Sequence, residues 1–282
     1  MKKAILCILL SFSLFYGCTK EAKVKLPPQE DKLVVTSFIS PNDYNIIVTV
    51  RNSTPKFNWV GIWGPQFNNI ADADIFMSDG STRIRIPFDS TLGMYRASTE
   101  NFPIISKKTY YLDVRTRDGK NVTAETTVPT GTLNLSRFEV EQTNSDNDNI
   151  KVKTLITIPD LPETTYITGS FDIITSPENP PTYLNNSQSY YFSASDEFQS
   201  YPEYVKNQQM ETYGGSYNKY IAVAVTLLNC DKNFYLYHKT IRIAPGSGDN
   251  PFSDPVMVYT NINGGFGCFG SYIRAIYEKE IR

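Results

Sequence analysis

The sequence is poor in the side chains on which many enzymatic and metal-dependent mechanisms depend. It has one histidine, His238, and four cysteines, two of which lie in or beside the N-terminal leader described below. A Ser–His–Asp or Cys–His mechanism would have to use that histidine, and two cysteines with one histidine cannot supply the four ligands of a zinc site. We therefore expect a protein that is not an enzyme, with no catalytic residue, cofactor or metal.

Dense basic segments and long apolar runs are also missing. The formal net charge is −2, and no block of Lys and Arg stands out, so we expect no nucleic-acid partner. No run outside the leader is long and apolar enough to cross a bilayer, which takes about 20 residues. Tyrosine and phenylalanine are plentiful, and Val, Ile and Thr recur in alternating runs, which favours β-strands.

The first residues predict an export signal, residues 1–17. Lys2 and Lys3 precede a short apolar stretch, and the run Phe15-Tyr16-Gly17-Cys18 resembles a bacterial lipobox. That resemblance implies cleavage before Cys18 and lipidation of this cysteine, which would anchor the protein to the outer membrane. Phe15 and Tyr16 depart from the usual lipobox, and an ordinary signal peptide followed by a chance cysteine is the alternative.

Residues 18–31 are polar and charged and contain Pro27-Pro28, so we predict a flexible tether. Acidic residues close behind the lipidated cysteine resemble a surface-export signal of Bacteroidetes lipoproteins. The sequence leaves the face of the outer membrane undecided, and we prefer the cell surface.

Residues 32–130 predict a β-sandwich. The predicted strands are residues 33–38, 44–50, 71–77, 82–88, 93–96, 109–114 and 122–128. Asp79-Gly80 and Asp118-Gly119 separate alternating runs and predict hairpins with type I′ turns. Together with the later Thr126–Pro129 segment, these hairpins resemble the immunoglobulin-like, carboxypeptidase-regulatory type of sandwich. Domains of this type bind ligands or act as spacers, and they rarely catalyse reactions.

Pro129-Thr130-Gly131-Thr132 marks a boundary, after which residues 131–282 predict a second, mostly β domain with one short helix. Its predicted strands are residues 136–142, 150–158, 164–174, 219–228 and a C-terminal strand after Gly270. The helix should begin after Asp231, which can cap its first turn, and should bury His238. The acidic loop 144–149 lacks the Gly and closing Glu of a calcium loop, so we interpret it as a hairpin tip.

Cys230 and Cys268 are the cysteines that remain after export. An exported protein meets an oxidising environment, so we predict a disulfide between them. Two buried free thiols are the alternative.

The run GFGCFG matches a dinucleotide-binding fingerprint in its spacing but not in its context. That fingerprint needs a helix opening at the motif and a further βαβ segment, whereas only twelve alternating residues follow Gly270. We therefore predict that Gly264, Gly265, Gly267 and Gly270 are structural glycines that allow positive φ or close backbone approach.

Residues 190–217 combine many aromatic side chains with polar residues and show no clean period. We predict a long loop that contacts a glycan, a peptide or another small ligand, or a protein partner. The alternative is a loop that packs its rings on its own sheet. The candidate contact residues are Tyr190, Tyr191, Phe192, Phe198, Tyr201, Tyr204 and Tyr213.

The C-terminal motifs resemble one family. The segments Val225–Leu228, Phe234–Tyr237, Asn250–Pro255 and Val258–Gly270 are similar to those of the Bacteroidetes lipoproteins known as domain of unknown function 4249. Ser195–Phe198 matches as well, and Cys268 departs from the aliphatic residue that is usual there. The resemblance implies an outer-membrane lipoprotein that accompanies a TonB-dependent receptor, with no assigned activity.

Our sequence-based hypothesis is a lipid-anchored, non-enzymatic outer-membrane protein that assists nutrient uptake by binding a ligand, a TonB-dependent transporter, or both. A structural or adhesive cell-envelope protein is the alternative. A glycan-active enzyme is a third reading, without positive support, because no carboxylate pair stands out from the sequence.

Overall fold

The structure, a computed structural model, describes residues 31–53, 69–143, 149–159, 166–174, 190–193, 204–213, 222–243 and 257–281. The signal peptide, Cys18 and the tether up to Glu30 lie outside the described residues, as does most of the acidic loop 144–149. The strands are β1 (Leu33–Ile39), β2 (Asn45–Asn52), β3 (Asp74–Ser78), β4 (Arg83–Arg85), β5 (Phe88–Asp89), β6 (Met94–Ser98), β7 (Thr109–Arg115), β8 (Asn121–Thr127), β9 (Arg137–Thr143), β10 (Asn149–Ile158), β11 (Tyr166–Ile174), β12 (Tyr190–Ser193), β13 (Tyr204–Tyr213), β14 (Ala222–Cys230) and β15 (Phe266–Glu280). Among the described residues there is one helix, α1 (Lys232–Ile243), which lies between β14 and β15.

The predicted all-β fold with one short helix is confirmed. The strands form an eight-stranded sheet in the order β12-β11-β14-β15-β1-β2-β6-β5, a four-stranded sheet β4-β3-β7-β8 and a three-stranded sheet β13-β10-β9. Alternating side chains explain the layers, because β1 and β7 each bury every second residue and so present one apolar face to a facing sheet.

Half of the eight-stranded sheet packs on the four-stranded sheet. Their shared core contains side chains from β1, β2, β3, β6, β7 and β8, together with Phe269 and Ile273 of β15. Tyr95 and Tyr110 are buried in this core, and each hydroxyl donates to a backbone carbonyl, that of Ile70 for Tyr95 and that of Pro103 for Tyr110. The hydroxyls therefore remain satisfied where the rings are buried.

The other half of the eight-stranded sheet packs on the three-stranded sheet. Val152 and Ile156 of β10 meet Phe171 of β11 and Val225 of β14 in a second core. The predicted hairpin between β9 and β10 is present, with antiparallel pairing that begins at Lys151 and Thr143.

The predicted strand 82–88 is wrong as a single element. It divides into β4, which pairs with β3 in the four-stranded sheet, and β5, which pairs with β6 in the eight-stranded sheet. Pro87 lies between the two pieces and has no backbone N–H for a sheet ladder. The chain therefore crosses from one sheet to the other at this proline.

The two Asp-Gly hairpins form, but not with the predicted type I′ turns. Gly80 and Gly119 have φ of 88° and 87°, whereas neither preceding aspartate has a positive φ. The Asp79 carboxylate instead accepts the backbone N–H groups of Ser81 and Thr82 and pairs with the ammonium of Lys108. These contacts hold the pKa of Asp79 below its usual value, with the Lys108 hydrogen bond as the largest cause.

β15 joins the two halves of the chain. Residues Phe266 to Ser271 pair in parallel with β1, and residues Tyr272 to Glu280 pair antiparallel with β14. Residues Asp31–Arg282 accordingly form one compact unit. One sheet thus contains strands from both sides of the predicted boundary at residue 131.

Candidate ligand-binding groove beside the helix

The glycine run brings β15 and α1 into close contact with β1. Gly267 pairs with Val35 and has a φ of 108°, and a Cβ at this position would overlap the Val35 carbonyl. A Cβ on Gly270 would lie 3.0 Å from the Cβ of Phe234 on α1. The missing side chains therefore let two pieces of backbone approach as closely as they do.

The same run continues as a strand and not as a helix. Gly264 has a φ of 85° in the turn before β15, and a Cβ on Gly265 would lie 2.7 Å from the Leu33 carbonyl oxygen. β15 then extends unbroken from Phe266 to Glu280. The backbone role predicted for the four glycines agrees with this geometry.

Helix α1 is fixed at its start by Asp231, as the sequence predicts. One carboxylate oxygen accepts the N–H of Phe234 at 2.8 Å, and the other accepts the hydroxyl of Thr126 at 2.6 Å. Asn233 and the N–H of Ser271 donate to the same carboxylate at longer distances. Asp231 thus joins the helix to β8 and β15, while burial raises its pKa above the ordinary value.

An aromatic cluster fills the space between α1 and the sheet. The Phe234 ring stacks on His238 with centroids 4.0 Å apart, and Phe38 of β1 lies 4.8 Å from the same imidazole. Tyr272 of β15 lies 5.4 Å from Phe234, and Tyr237 lies 5.9 Å from Phe38. The helix therefore attaches to the sheet mainly through ring contacts.

His238 is a packed residue, as the sequence predicts. Its Nδ1 lies 2.9 Å from the carbonyl oxygen of Phe234, one helical turn earlier. Because that carbonyl can only accept, Nδ1 carries the proton and donates. Burial lowers the pKa of the imidazole, so the neutral form is favoured.

A groove of about 650 Å³ runs along the sheet beside this cluster. Tyr237 of α1 and Tyr272 of β15 lie on one side, and Tyr44, which is 85% exposed, lies at the turn between β1 and β2. Its sheet surface includes Thr36 and Ile47. Its size is within the range of small-ligand pockets.

Polar groups in the groove are held in fixed positions. Asp43 accepts the Tyr272 hydroxyl at 2.6 Å and pairs with Arg274 at 3.1 Å. The hydroxyls of Thr36 and Thr49 lie 2.7 Å apart. An exposed ring beside ordered hydroxyl and carboxylate groups can stack on a ligand and hydrogen-bond to it, which suits a glycan or a peptide.

Arg51 adds a charged group at the end of the groove. Its Nε donates to the side-chain oxygen of Asn69 at 2.8 Å, and Arg51 also forms a backbone bridge with Asn69.

The predicted Cys230–Cys268 disulfide is absent, and both cysteines are buried free thiols. Cys230 pairs in register with Tyr272, four residues beyond Cys268 on β15. Four strand residues span about 13 Å, whereas bridged Cα atoms lie within about 7 Å. Each thiol donates instead to a carbonyl, Cys230 to Tyr166 and Cys268 to Asn233.

Both thiols are unreactive in this environment. Burial raises the pKa of Cys230 and of Cys268 above the usual thiol value. The thiolate, which is the nucleophile and the metal ligand, is therefore disfavoured at both positions.

The predicted aromatic loop 190–217 is wrong where the structure describes it. Tyr190, Tyr191 and Phe192 lie in β12, which pairs with β11 in the eight-stranded sheet. Tyr204 and Tyr213 begin and end β13, which pairs with β10 over its whole length. Phe198 and Tyr201 lie outside the described residues. β12 and β13 belong to different sheets, and the ligand contacts predicted for these aromatic residues stay a prediction.

Two further findings concern metals and membranes. In the part of the chain that the structure describes, no group of three or more His, Cys, Asp and Glu side chains could hold a metal ion. Within the same residues, no helix has the length and apolarity needed to cross a membrane.

Sequence reasoning did not find the groove, because its residues come from distant parts of the chain. Asp43 and Tyr272 are more than 200 residues apart and meet only through the parallel pairing of β1 with β15. One local signal was available, since Ser40-Pro41-Asn42-Asp43 has the composition of a turn. That signal places Tyr44 beside an exposed loop, but it does not predict which residues of the fold lie next to Tyr44.

Residues 19–275 match the family model described as Domain of unknown function (DUF4249). No curated protein matches the chain.

Proposed function

This chain belongs to the DUF4249 family, and we propose that it is a lipid-anchored, non-enzymatic protein of the bacterial outer membrane. It assists nutrient uptake by binding a ligand, a TonB-dependent transporter, or both. Cys18 carries the anchor and residues 18–31 form the tether. The cell surface is our preferred location.

The observation that carries the binding part of this proposal is the groove beside α1. Tyr44 is a large side chain that is 85% exposed at the edge of a preformed concave surface. Tyr237 and Tyr272 supply further aromatic surface, and Thr36, Thr49 and Asp43 supply polar groups. Sites of this composition hold a ligand by stacking and fix its orientation by hydrogen bonds.

A pull-down from detergent-solubilised outer membranes tests the binding role. We expect the wild-type protein to retain a TonB-dependent receptor or a glycan, and Tyr44→Ala to weaken that retention about tenfold or more, as loss of an exposed aromatic anchor does. Folding should not change, because the Tyr44 ring is almost fully exposed.

Tyr111→Ala is the matched control. Tyr111 is a 46% exposed tyrosine of β7, in the four-stranded sheet, and does not line the groove. Equal retention by the wild type and Tyr44→Ala would contradict the groove as the binding site. Recovery of the protein alone, or with peptidoglycan, would instead support a structural or adhesive role.

Lipidation is tested separately at Cys18. We expect the wild-type protein to fractionate with the outer membrane and to carry acyl chains at a mature N-terminal Cys18, as measured by mass spectrometry. Cys18→Ala removes the thiol that would be acylated, so this variant should carry no acyl chains at position 18. A mature N-terminus without an acyl group would contradict the anchor.

A further inference from the structure

A second cavity, separate from the groove, lies where the linker after β8 passes the start of α1. We call it the linker cleft; its volume is about 680 Å³. Its lining includes the linker 127–134, Ile158 and Pro159 after β10, Tyr166 of β11, and residues 229–232. Both predicted halves of the chain contribute to it.

The linker wall is held in place by buried side chains. Asn229, which is 7% exposed, donates from its amide nitrogen to the carbonyl oxygens of Thr130 at 2.9 Å and Gly131 at 3.0 Å. Further along, the Tyr277 hydroxyl donates to the Leu133 carbonyl at 2.7 Å. A wall held at Thr130, Gly131 and Leu133 is formed before any ligand arrives, which reduces the entropy cost of binding.

The rim of the linker cleft is positively charged. Lys107 and Lys232 both line it, and both are exposed. Among the described residues, no carboxylate forms an ion pair with either ammonium group. Lys107 also has a φ of 67°, a left-handed conformation that is uncommon for a residue with a side chain.

Among the described residues that line the cleft, Asp231 is the one carboxylate, and it does not cancel this charge. Asp231 is buried, and its oxygens accept hydrogen bonds from Thr126, Phe234, Asn233 and Ser271. Its lone pairs are therefore directed into the fold. Counted over the described lining residues, two lysines and one inward-facing aspartate give a net positive charge.

Much of the remaining lining of the cleft is apolar. Val128, Leu133 and Ile158 are buried there, and Pro159 and Tyr166 complete the surface. Thr130, Thr132 and Asn134 add neutral polar groups to the linker wall. This combination suits a ligand with an apolar or ring-shaped body and a negatively charged end.

We propose that the linker cleft binds a small carboxylate-bearing ligand, with its carboxylate between Lys107 and Lys232 and its body against Pro159 and Tyr166. Ammonium groups form charge-assisted hydrogen bonds with carboxylates. The cleft is a site distinct from the groove, so this inference does not depend on whether the groove binds anything.

Titration of the protein with trigalacturonate, citrate and benzoate tests the inference, with backbone amide NMR shifts as the readout. We expect at least one of them to give saturable shifts centred on residues 130–133. The fully methylated ester of trigalacturonate has the same skeleton without charge and should bind more weakly. Higher ionic strength should also weaken binding, because it screens exposed charges.

The double variant Lys107→Gln and Lys232→Gln should raise Kd about tenfold or more, since each lysine supplies a hydrogen bond to a charged group. Both side chains are exposed, so the thermal unfolding midpoint should stay unchanged. Lys153→Gln with Lys206→Gln is the control, because it removes the same charge from the three-stranded sheet. The inference is wrong if no carboxylate gives saturable shifts, if the ester binds equally tightly, or if both double variants bind alike.

Discussion

At the scale of single residues, the positions without a side chain decide how closely the backbone packs. Gly267 and Gly270 lie against Val35 of β1 and Phe234 of α1, where a Cβ would meet backbone atoms. Sequence alone indicates that such glycines serve geometry, because the residues after Gly270 alternate like a strand. It does not identify the two partners, since each lies more than 30 residues away.

Gly267→Ala should be strongly destabilising. The new Cβ would overlap the Val35 carbonyl, and the backbone would also have to keep a φ of 108°. We expect a loss of about 3 kcal/mol or more in the free energy of unfolding, measured by urea denaturation. Gly119→Ala is the control, since its φ is 87° but no atom lies within 4 Å of the added Cβ. Similar losses for both variants would contradict the close-approach argument.

His238 should make stability depend on pH. Burial lowers the pKa of the folded imidazole below its ordinary value near 6.5, so the unfolded chain binds a proton more readily. The stability due to neutral His238 is fully present above pH 6.5 and decreases as the pH falls through the folded pKa. Urea unfolding at pH 7.5 and 5.0 should show this decrease, and His238→Gln should reduce it. An unchanged pH dependence in the variant would show that other groups cause it.

The two mature cysteines should both be alkylated after unfolding. In a protein expressed from residue 19, Cys230 and Cys268 are the remaining cysteines, and both are free in the fold. Iodoacetamide in guanidinium chloride without reductant should add two groups, measured by mass spectrometry. In native buffer the reaction should be slow, because both thiols are buried. If neither cysteine were alkylated after unfolding, the result would support the predicted disulfide and contradict the free thiols.

At the scale of elements, α1 depends on contacts made beyond its own sequence. Its N-cap Asp231 also receives hydrogen bonds from Thr126 of β8 and Ser271 of β15. The helix therefore begins where three elements meet, and the groove wall formed by Tyr237 depends on that junction.

Asp231→Ala should therefore cost more than an ordinary helix cap. Loss of a cap costs about 1 kcal/mol, and the buried donors left without an acceptor add about 1–3 kcal/mol. Thermal or urea unfolding measures the sum. Asp89→Ala is the control, since its carboxylate accepts the N–H groups of Thr91 and Leu92 in an exposed turn. A loss no greater than in this control would show that the junction contributes little.

The elements also show what could be predicted from sequence. Period-two alternation and Asp-Gly turns identified most strands of the first half, and the Asp231 cap identified α1, because these signals are local. β12 and β13 were missed because Tyr190–Ser193 and Tyr204–Tyr213 mix aromatic and polar residues without a clean alternation. These segments form strands because they pair with β11 and β10. Pairing with a strand that is distant in sequence is hardly visible in the local sequence pattern.

At the scale of the whole molecule, β15 is the element on which both cores depend. Phe269 and Ile273 belong to the core with the four-stranded sheet, whereas Ala275 belongs to the core with the three-stranded sheet. The division into domains of residues 32–130 and 131–282 stays a prediction. It can be tested with a fragment that lacks the shared strand β15.

Residues 32–130 expressed alone should not fold cooperatively. The fragment lacks the strand that pairs with β1 and loses Ile262, Phe269 and Ile273 from its core. We expect poor amide dispersion by NMR and no cooperative thermal transition, whereas residues 31–282 should give both. A fragment that melts with a sharp transition near that of the longer protein would establish an autonomous first domain.

The parallel pairing of β1 with β15 has a mechanical consequence. β1 begins at Leu33, just after the predicted tether, and β15 runs in the same direction towards the C-terminus. A force that pulls the tether one way and the chain's last residues the other way would slide these two strands past each other. The hydrogen bonds between β1 and β15 would then have to break together. They would break one after another only if the force pulled the strands apart from one end. The protein is thus built to resist stretching between its two ends.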